Sequence, residues 1–209
     1  MAKLEIYGIP QSSYVRTARM AAIEKGVDYD LIPVLPHSDE LLEISLYGKV
    51  PAMRHGDVSL CETLAITSYI DDVFDGPALV PSDRVEKAQM YSWISAIIDH
   101  FYDAMVRRYI LQVFFPKGPD GAPDETVTGP ALEQIKRQLS AVNKAMLGNR
   151  FLVGNQLTLA DLYIAPIFSY LGNMPHGEEL FADCPNIRGA TPNMHERQSY
   201  KETQPPAPE

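Results

Sequence analysis

The sequence predicts two successive domains: an α/β domain in βαβ–ββα order over residues 1–75, then an all-helical domain over 83–204. Three observations predict this. Strand-like alternation and helix-like periodicity interleave only in the first third of the chain. A segment rich in Pro and Gly, 76–82, closes that third and serves as a linker. Beyond it every extended apolar pattern has helical spacing.

The elements follow in order. Lys3 to Gly8 alternates with period two, as a short strand does, and Gly8 and Pro10 punctuate its end. From Ser13 to Lys25, Val15, Ala18 and Ala22 fall on one helical face, and Gly26 is a stop signal. Asp28 to Val34 predicts a second strand, with Pro33 suited to a sheet edge. A short helix fits Asp39 to Leu46. Gly48-Lys49-Val50-Pro51-Ala52-Met53 turns into a third strand, and Gly56-Asp57 is a hairpin signal leading into Val58-Ser59-Leu60. Glu62 to Val73 has helical spacing. In the second domain one long helix is expected from Ser82 to about Phe115, and a loop over Pro116–Pro130. Helices follow over Ala131–Leu147, from near Thr158, and in one or two shorter pieces. The tail 205–209 should be disordered or extended.

Composition narrows the function classes. The chain has 209 residues, 45% of them hydrophobic and 22% charged, enough for a sizeable core without staples. The formal net charge of -9 and the lack of a basic arm argue against binding nucleic acid. The two cysteines, Cys61 and Cys184, sit in no CxxC or histidine pairing, so neither a disulfide framework nor a zinc site is expected. The start, Met1-Ala2-Lys3-Leu4-Glu5, enters the first strand with no apolar leader, and no run is long enough to span a membrane. A cytoplasmic protein is the expectation.

Four short segments carry chemistry. Pro10-Gln11-Ser12-Ser13 places hydroxyls at a helix start, beside free N–H groups and the positive end of the helix dipole, where an anion such as a thiolate is favoured. A plain N-cap is the other reading. Val50-Pro51 precedes the third strand. A cis bond there would turn the Val50 N–H and C=O outward, toward a peptide-like ligand. Glu62-Thr63 opens a helix and offers a hydroxyl and N–H groups to a carboxylate, or again merely caps. Thr158-Leu159-Ala160-Asp161 is a capping box, with Leu157 and Leu162 as its hydrophobic staple, and marks a helix nucleus instead of a reactive site.

In order and spacing, Ser12, the phrase Gly48 to Met53, the phrase Glu62 to Ile70 and the box Leu157 to Asp161 resemble the cytosolic glutathione transferases. The run from Ile6 to Ser12 and on through Glu24 to Tyr29 is most similar to the serine type, especially its phi-like bacterial and plant members. The resemblance implies a thioredoxin-like first domain and a helical-bundle second domain. It implies glutathione as co-substrate, no metal, a homodimer, a small hydrophobic electrophile as second substrate, and a role in detoxification. By position, Ser12 would bond the glutathione sulfur, with Ser13 as the alternate one register on and Tyr7 as the fallback. Val50, ahead of Pro51, would pair with the cysteinyl backbone. Lys49 would contact the glutathione backbone or its glycine end, and His37 the glycine carboxylate. Glu62 would hold the γ-glutamyl ammonium and Thr63 its carboxylate. Asp99 would reach the γ-glutamyl amine bound by a second subunit.

The implied reaction is attack of a glutathione thiolate on an apolar electrophile held between the domains, against Tyr102, Met105, Val106 and Tyr109. Ordinary core packing is the alternative for that stripe. Isomerase, dehalogenase or ether-cleaving lyase chemistry would share the fold and the glutathione site. A binding or regulatory protein on the same fold is the rival outside enzymology. The segment Cys184 to Pro192 departs from the family pattern: small residues replace a tryptophan-rich helix, and Pro192 should kink or shorten it.

Overall fold

The computed structural model describes residues 2–206. It divides into two compact units. The first is the chain through Val80 together with the stretch from His195 onward; the second is Pro81–Met194.

The first unit is built on four strands, β1 (Leu4–Tyr7), β2 (Tyr29–Ile32), β3 (Ala52–His55) and β4 (Val58–Cys61), in the order β2-β1-β3-β4. β1 and β2 run parallel, joined by helix α1 (Ser13–Glu24); β3 is antiparallel to β1 and to β4. This is the expected βαβ–ββα order, with β2 at an edge and Pro33 just beyond its end. Alternation explains β1: Leu4 and Ile6 are buried, while Glu5 between them is half-exposed. Ser12 caps α1 by accepting the Val15 N–H at 3.3 Å, and Gly26, at φ 70°, lets the chain leave the helix. α2 (Asp39–Leu42) is four residues shorter than the pattern implied. Helix α3 (Thr63–Val73) packs on α1.

The expected domain boundaries differ from these units at the C-terminal end. The helical domain was expected to run to residue 204, whereas the stretch from His195 belongs with the first unit. The cause is a set of bonds that residue spacing does not display. In this unit helix α10 (Gln198–Glu202) packs on α1. Arg197 donates through Nε to Glu24 at 2.6 Å, and the Ser199 hydroxyl donates to the same carboxylate. Fully buried Arg16 lies over the Tyr200 ring, 5.4 Å from its centre, and His195 stacks on that ring. A buried ion pair, Lys25–Asp71 at 3.1 Å, ties α1 to α3, and Asp71 also accepts the N–H groups of Leu79 and Val80. Most of the expected tail, Ala207 to Glu209, lies outside the described residues.

The second unit is helical throughout. α4 (Arg84–Ala96) is capped by Asp83, which accepts from the N–H groups of Val85 and Glu86. The helix continues through Ile97–Ile110 in wider, π-type turns and returns to ordinary winding in α5 (Leu111–Phe114). The expected single helix from Ser82 to Phe115 thus has an altered middle. The Gln138 side chain donates to the His100 carbonyl of that middle at 3.1 Å.

The expected loop over 116–130 is shorter, because α6 (Glu125–Ala145) starts before Pro130 and not after it. Asp124 caps it by accepting the Thr126 N–H at 2.9 Å. Pro130, the sixth residue of the helix, is exposed and has no N–H to offer the Thr126 carbonyl, while Thr128, Ala131 and Ile135 are buried and hold the helix together across it. α7 (Leu159–Gly172) begins at the predicted capping box: the Asp161 carboxylate accepts the Thr158 N–H and hydroxyl, each at 2.9 Å, and the Leu152 N–H at 2.7 Å. α8 (Gly177–Ala182) and α9 (Pro185–His195) follow. Pro192 does not shorten α9. It lies on the exposed side, while Ile187, Ala190 and Met194 are buried and hold the helix together across it. Among the described residues no helix is long and apolar enough to cross a membrane, and no group of three or more His, Cys, Asp or Glu is placed to hold a metal.

Candidate functional site

The candidate ligand residues meet at one end of the first unit's sheet, and strand register brings them there. Tyr7 pairs with Ala52, and Ala52 with Cys61, so the last residue of β1, the first of β3 and the last of β4 form one row. Ser12 and Ser13 follow from the first, Val50-Pro51 precedes the second, and Glu62-Thr63 follows the third. Three segments far apart in sequence therefore share an edge.

Gly8 lets two of them close together. At φ 151°, a Cβ on it would lie 2.4 Å from Val15 Cγ2 and 3.1 Å from Val50 Cβ. The first turn of α1 and the Val50–Pro51 bend thus meet over the end of β1. Any side chain at position 8 would push them apart. The Val50–Pro51 bond is cis.

Ser12 is half-buried, and its Oγ accepts from Val15 N–H. A hydroxyl that accepts in this way keeps its proton to donate outward. Ser13 is buried at the first helical position, with its carbonyl taken by the Thr17 hydroxyl. Tyr7 is set apart from both. Its ring packs with Val34, Leu41 and Ala52, and its hydroxyl donates to Glu5 Oε2 at 2.8 Å. Burial and then the Glu5 carboxylate hold the phenol above its ordinary pKa, so it remains a protonated donor to Glu5.

Glu62 has φ 70° and ψ 120°, and its carboxylate is exposed with no capping bond to α3. Thr63 is buried at the helix start, where the N–H groups of the first turn lack intrahelical acceptors. His37 and Lys49 are both exposed. They are brought near each other because the His37 N–H donates to Gly48 O at 2.8 Å, and Ser45 Oγ donates to Lys49 O at 3.1 Å. Gly48 is needed at this crossing: a Cβ there would lie 2.4 Å from the His37 ring.

Of the residues expected to line a second-substrate stripe, Met105, Val106 and Tyr109 are buried in the second unit, and only Tyr102 is half-exposed. The Tyr109 hydroxyl bonds the His176 ring at 2.8 Å and accepts the His176 N–H. Cys61 and Cys184 are both free thiols; burial raises the Cys184 pKa, which keeps that thiol protonated. Two features of the site had no plain signal in the sequence. The positive φ of Glu62 falls on a residue type that ordinarily avoids it. The role of Gly8 was visible only as a break after a strand.

A mixed four-stranded sheet whose cis-proline bend faces a capped helix start, joined to a helical unit, defines a thioredoxin-like ligand-binding fold with an added α domain. Comparison with known proteins agrees. The profile for the glutathione S-transferase N-terminal domain matches residues 6–78, and that for the C-terminal domain matches residues 106–197. Glutathione S-transferase Z2 of Arabidopsis thaliana is 30% identical over 172 residues, 79% of this chain and 75% of that protein. The solved structure of glutathione S-transferase III in its apo form superimposes with a TM-score of 0.86 at 29% identity, covering 99% of this chain and 100% of that one. Glutathione S-transferase I bound with lactoylglutathione gives 0.85 at 26% identity, over 97% and 99% of the two chains. The chain belongs to the cytosolic glutathione transferase superfamily and is an enzyme of the glutathione S-transferase kind.

Proposed function

We propose that this transferase is of the serine, phi-like type, and that Ser12 activates bound glutathione. The observation that carries the reading is the Ser12 hydroxyl, which accepts from its own helix and has a proton left to donate. The glutathione sulfur lies against that proton and the N-terminus of α1, with Ser13 behind as a buried neighbour. The backbone of Val50, ahead of Pro51, pairs with the cysteinyl residue. Glu62 takes the γ-glutamyl ammonium, Thr63 and the free N–H groups of α3 take its carboxylate, and Lys49 with His37 takes the glycine carboxylate. Tyr7, committed to Glu5, holds the sheet in place and leaves the sulfur to Ser12.

Activation is a matter of a few kcal/mol. A free thiol with a pKa of about 8.5 is only a few per cent thiolate at neutral pH. Lowering that value by about two units needs roughly 2.7 kcal/mol of preference for the anion. One charge-assisted hydrogen bond together with the dipole of α1 is of that size. The thiolate then attacks an electrophilic carbon of a small hydrophobic substrate held at Tyr102, with Met105, Val106 and Tyr109 packed behind it. The enzyme acts as a homodimer in detoxification, and a reducing cytoplasm suits its two free thiols.

Steady-state kinetics of Ser12→Ala test the assignment. The expected result is a kcat for conjugation reduced by at least tenfold, with the KM for glutathione little changed, because the bond strengthens as the anion forms. A purely capping serine would lower thermal stability and leave kcat near the wild-type value.

A further inference from the structure

Ser45 stands outside the candidate ligand residues, yet it is almost wholly buried, at 1% exposure. Its N–H donates to the Leu41 carbonyl at 2.8 Å, and Leu41 packs in the cluster that holds Tyr7, Val34 and Ala52. Its carbonyl accepts the Gly48 N–H at 3.0 Å. Its hydroxyl lies 3.1 Å from the Lys49 carbonyl. A carbonyl can only accept, so the hydroxyl proton is committed there. These bonds root the turn from Ser45 to Lys49 in the core behind the sheet end.

The bond to Lys49 bears on the ligand side. The Lys49 carbonyl and the Val50 N–H belong to one planar peptide unit, which is trans. In a trans unit the two groups point in opposite directions. Drawing the carbonyl inward onto Ser45 therefore turns the Val50 N–H outward. Pro51 brings no N–H of its own, so the bend's donor to a peptide-like ligand is that of Val50. Among the described residues the Val50 N–H meets no acceptor. The unit cannot swing away from this orientation without breaking a buried hydrogen bond.

We propose that Ser45 is a positioning residue of the glutathione site: from behind the Val50–Pro51 bend it aims the Val50 N–H at the cysteinyl carbonyl of the ligand. The inference rests on the reading in which Val50 pairs with the cysteinyl residue. Ser45 does not touch the ligand, and its effect is on affinity and not on the sulfur. A serine that merely closed the turn would hold the fold and serve every ligand alike.

The test crosses variants of Ser45 with two ligands, glutathione and γ-glutamylcysteamine. The second keeps the γ-glutamyl group and the thiol but has no cysteinyl carbonyl. Calorimetric titration gives the Kd of glutathione, and competition against glutathione gives that of the analogue. Ser45→Ala should weaken glutathione about fivefold, the size of one neutral hydrogen bond, and leave the analogue within about twofold of wild type. At saturating glutathione the pKa of the bound thiol should be the same in Ser45→Ala and in wild type, because Ser12 and α1 are untouched. Should Ser45→Ala fail to fold, Ser45→Cys fills nearly the same space with a much weaker donor and reads the same difference between ligands. An unchanged glutathione Kd, or an equal weakening of both ligands, would overturn the proposal while leaving the transferase reading intact. Wild type that binds no glutathione would instead count against the transferase reading, and this inference would fall with it.

Discussion

Glu62 holds a strained backbone conformation to which its side chain adds no capping bond, and replacing it should separate stability from binding. Its φ of 70° and ψ of 120° lie outside even the small left-handed well that non-glycine residues visit. Such a residue costs about 1–3 kcal/mol. Its exposed carboxylate caps nothing on α3, so no bond in the fold is lost with it. Glu62→Gly removes the strain but adds about 0.5–1 kcal/mol of backbone entropy loss on folding. The net is a gain of about 1 kcal/mol, read as a rise in Tm of about 2–4 °C. The same change deletes a charge-assisted contact to the γ-glutamyl ammonium. At an exposed site that contact lies near the low end of about 1.5–3 kcal/mol, so glutathione affinity should fall about tenfold. Glu62→Gln keeps the strain and loses the charge, so its Tm should be unchanged and its affinity reduced. Calorimetric titration with glutathione and thermal melts read both quantities. A Glu62→Gly protein that melts several degrees lower and binds glutathione within twofold of wild type would refute the reasoning.

Two further outcomes concern stability. Asp161 is fully buried and its pKa is raised to about 6, chiefly by desolvation, although the bonds from Leu152 and Thr158 act the other way. An unfolded Asp titrates near 3.9, so between about pH 4 and 6 the folded state holds a proton that the unfolded state has released. Stability should therefore decline as pH rises through that window, by at most about 3 kcal/mol, and level off above it. The Tm difference between wild type and Asp161→Asn, followed from pH 4 to 7, isolates the effect; a pH-independent difference would show that Asp161 does not titrate there. The second outcome concerns the Lys25–Asp71 pair, whose side chains are only 4% and 6% exposed. Lys25→Met leaves a buried carboxylate without its cation and should cost about 3–5 kcal/mol in urea denaturation, whereas a loss below about 1 kcal/mol would make the pair incidental.

Several elements were legible in the sequence because their signals are local. Alternation at Leu4 and Ile6, the stop at Gly26, the hairpin at Gly56-Asp57 and the box at Thr158–Asp161 each depend on a few neighbouring residues. The candidate site corresponds to three of the short phrases, the fourth being the capping box of α7. What the phrases could not convey is that the Tyr7–Ala52–Cys61 register lines three of them up along one edge. Errors arose where tertiary contacts overrode local preference. The sequence predicts a loop up to Pro130 and a kinked or shortened helix at Pro192, yet each proline sits exposed on a helix whose other face is buried. The C-terminal stretch was assigned to the helical domain because the partners that hold it, Glu24 and Arg16, lie more than 170 positions away in sequence. The π-type winding left no trace in periodicity, since Phe101, Met105 and Tyr109 also suit an ordinary helix.

The claim on which the rest depends is that Ser12 stabilises the glutathione thiolate. It is tested most directly by titrating the ultraviolet thiolate absorbance of glutathione bound to wild type and to Ser12→Ala, at saturating ligand. The account predicts an apparent pKa of about 6.5 in wild type and a return toward about 8.5 in the variant. The same depressed value in both proteins would contradict it and pass the role to Ser13 or to the helix N-terminus alone.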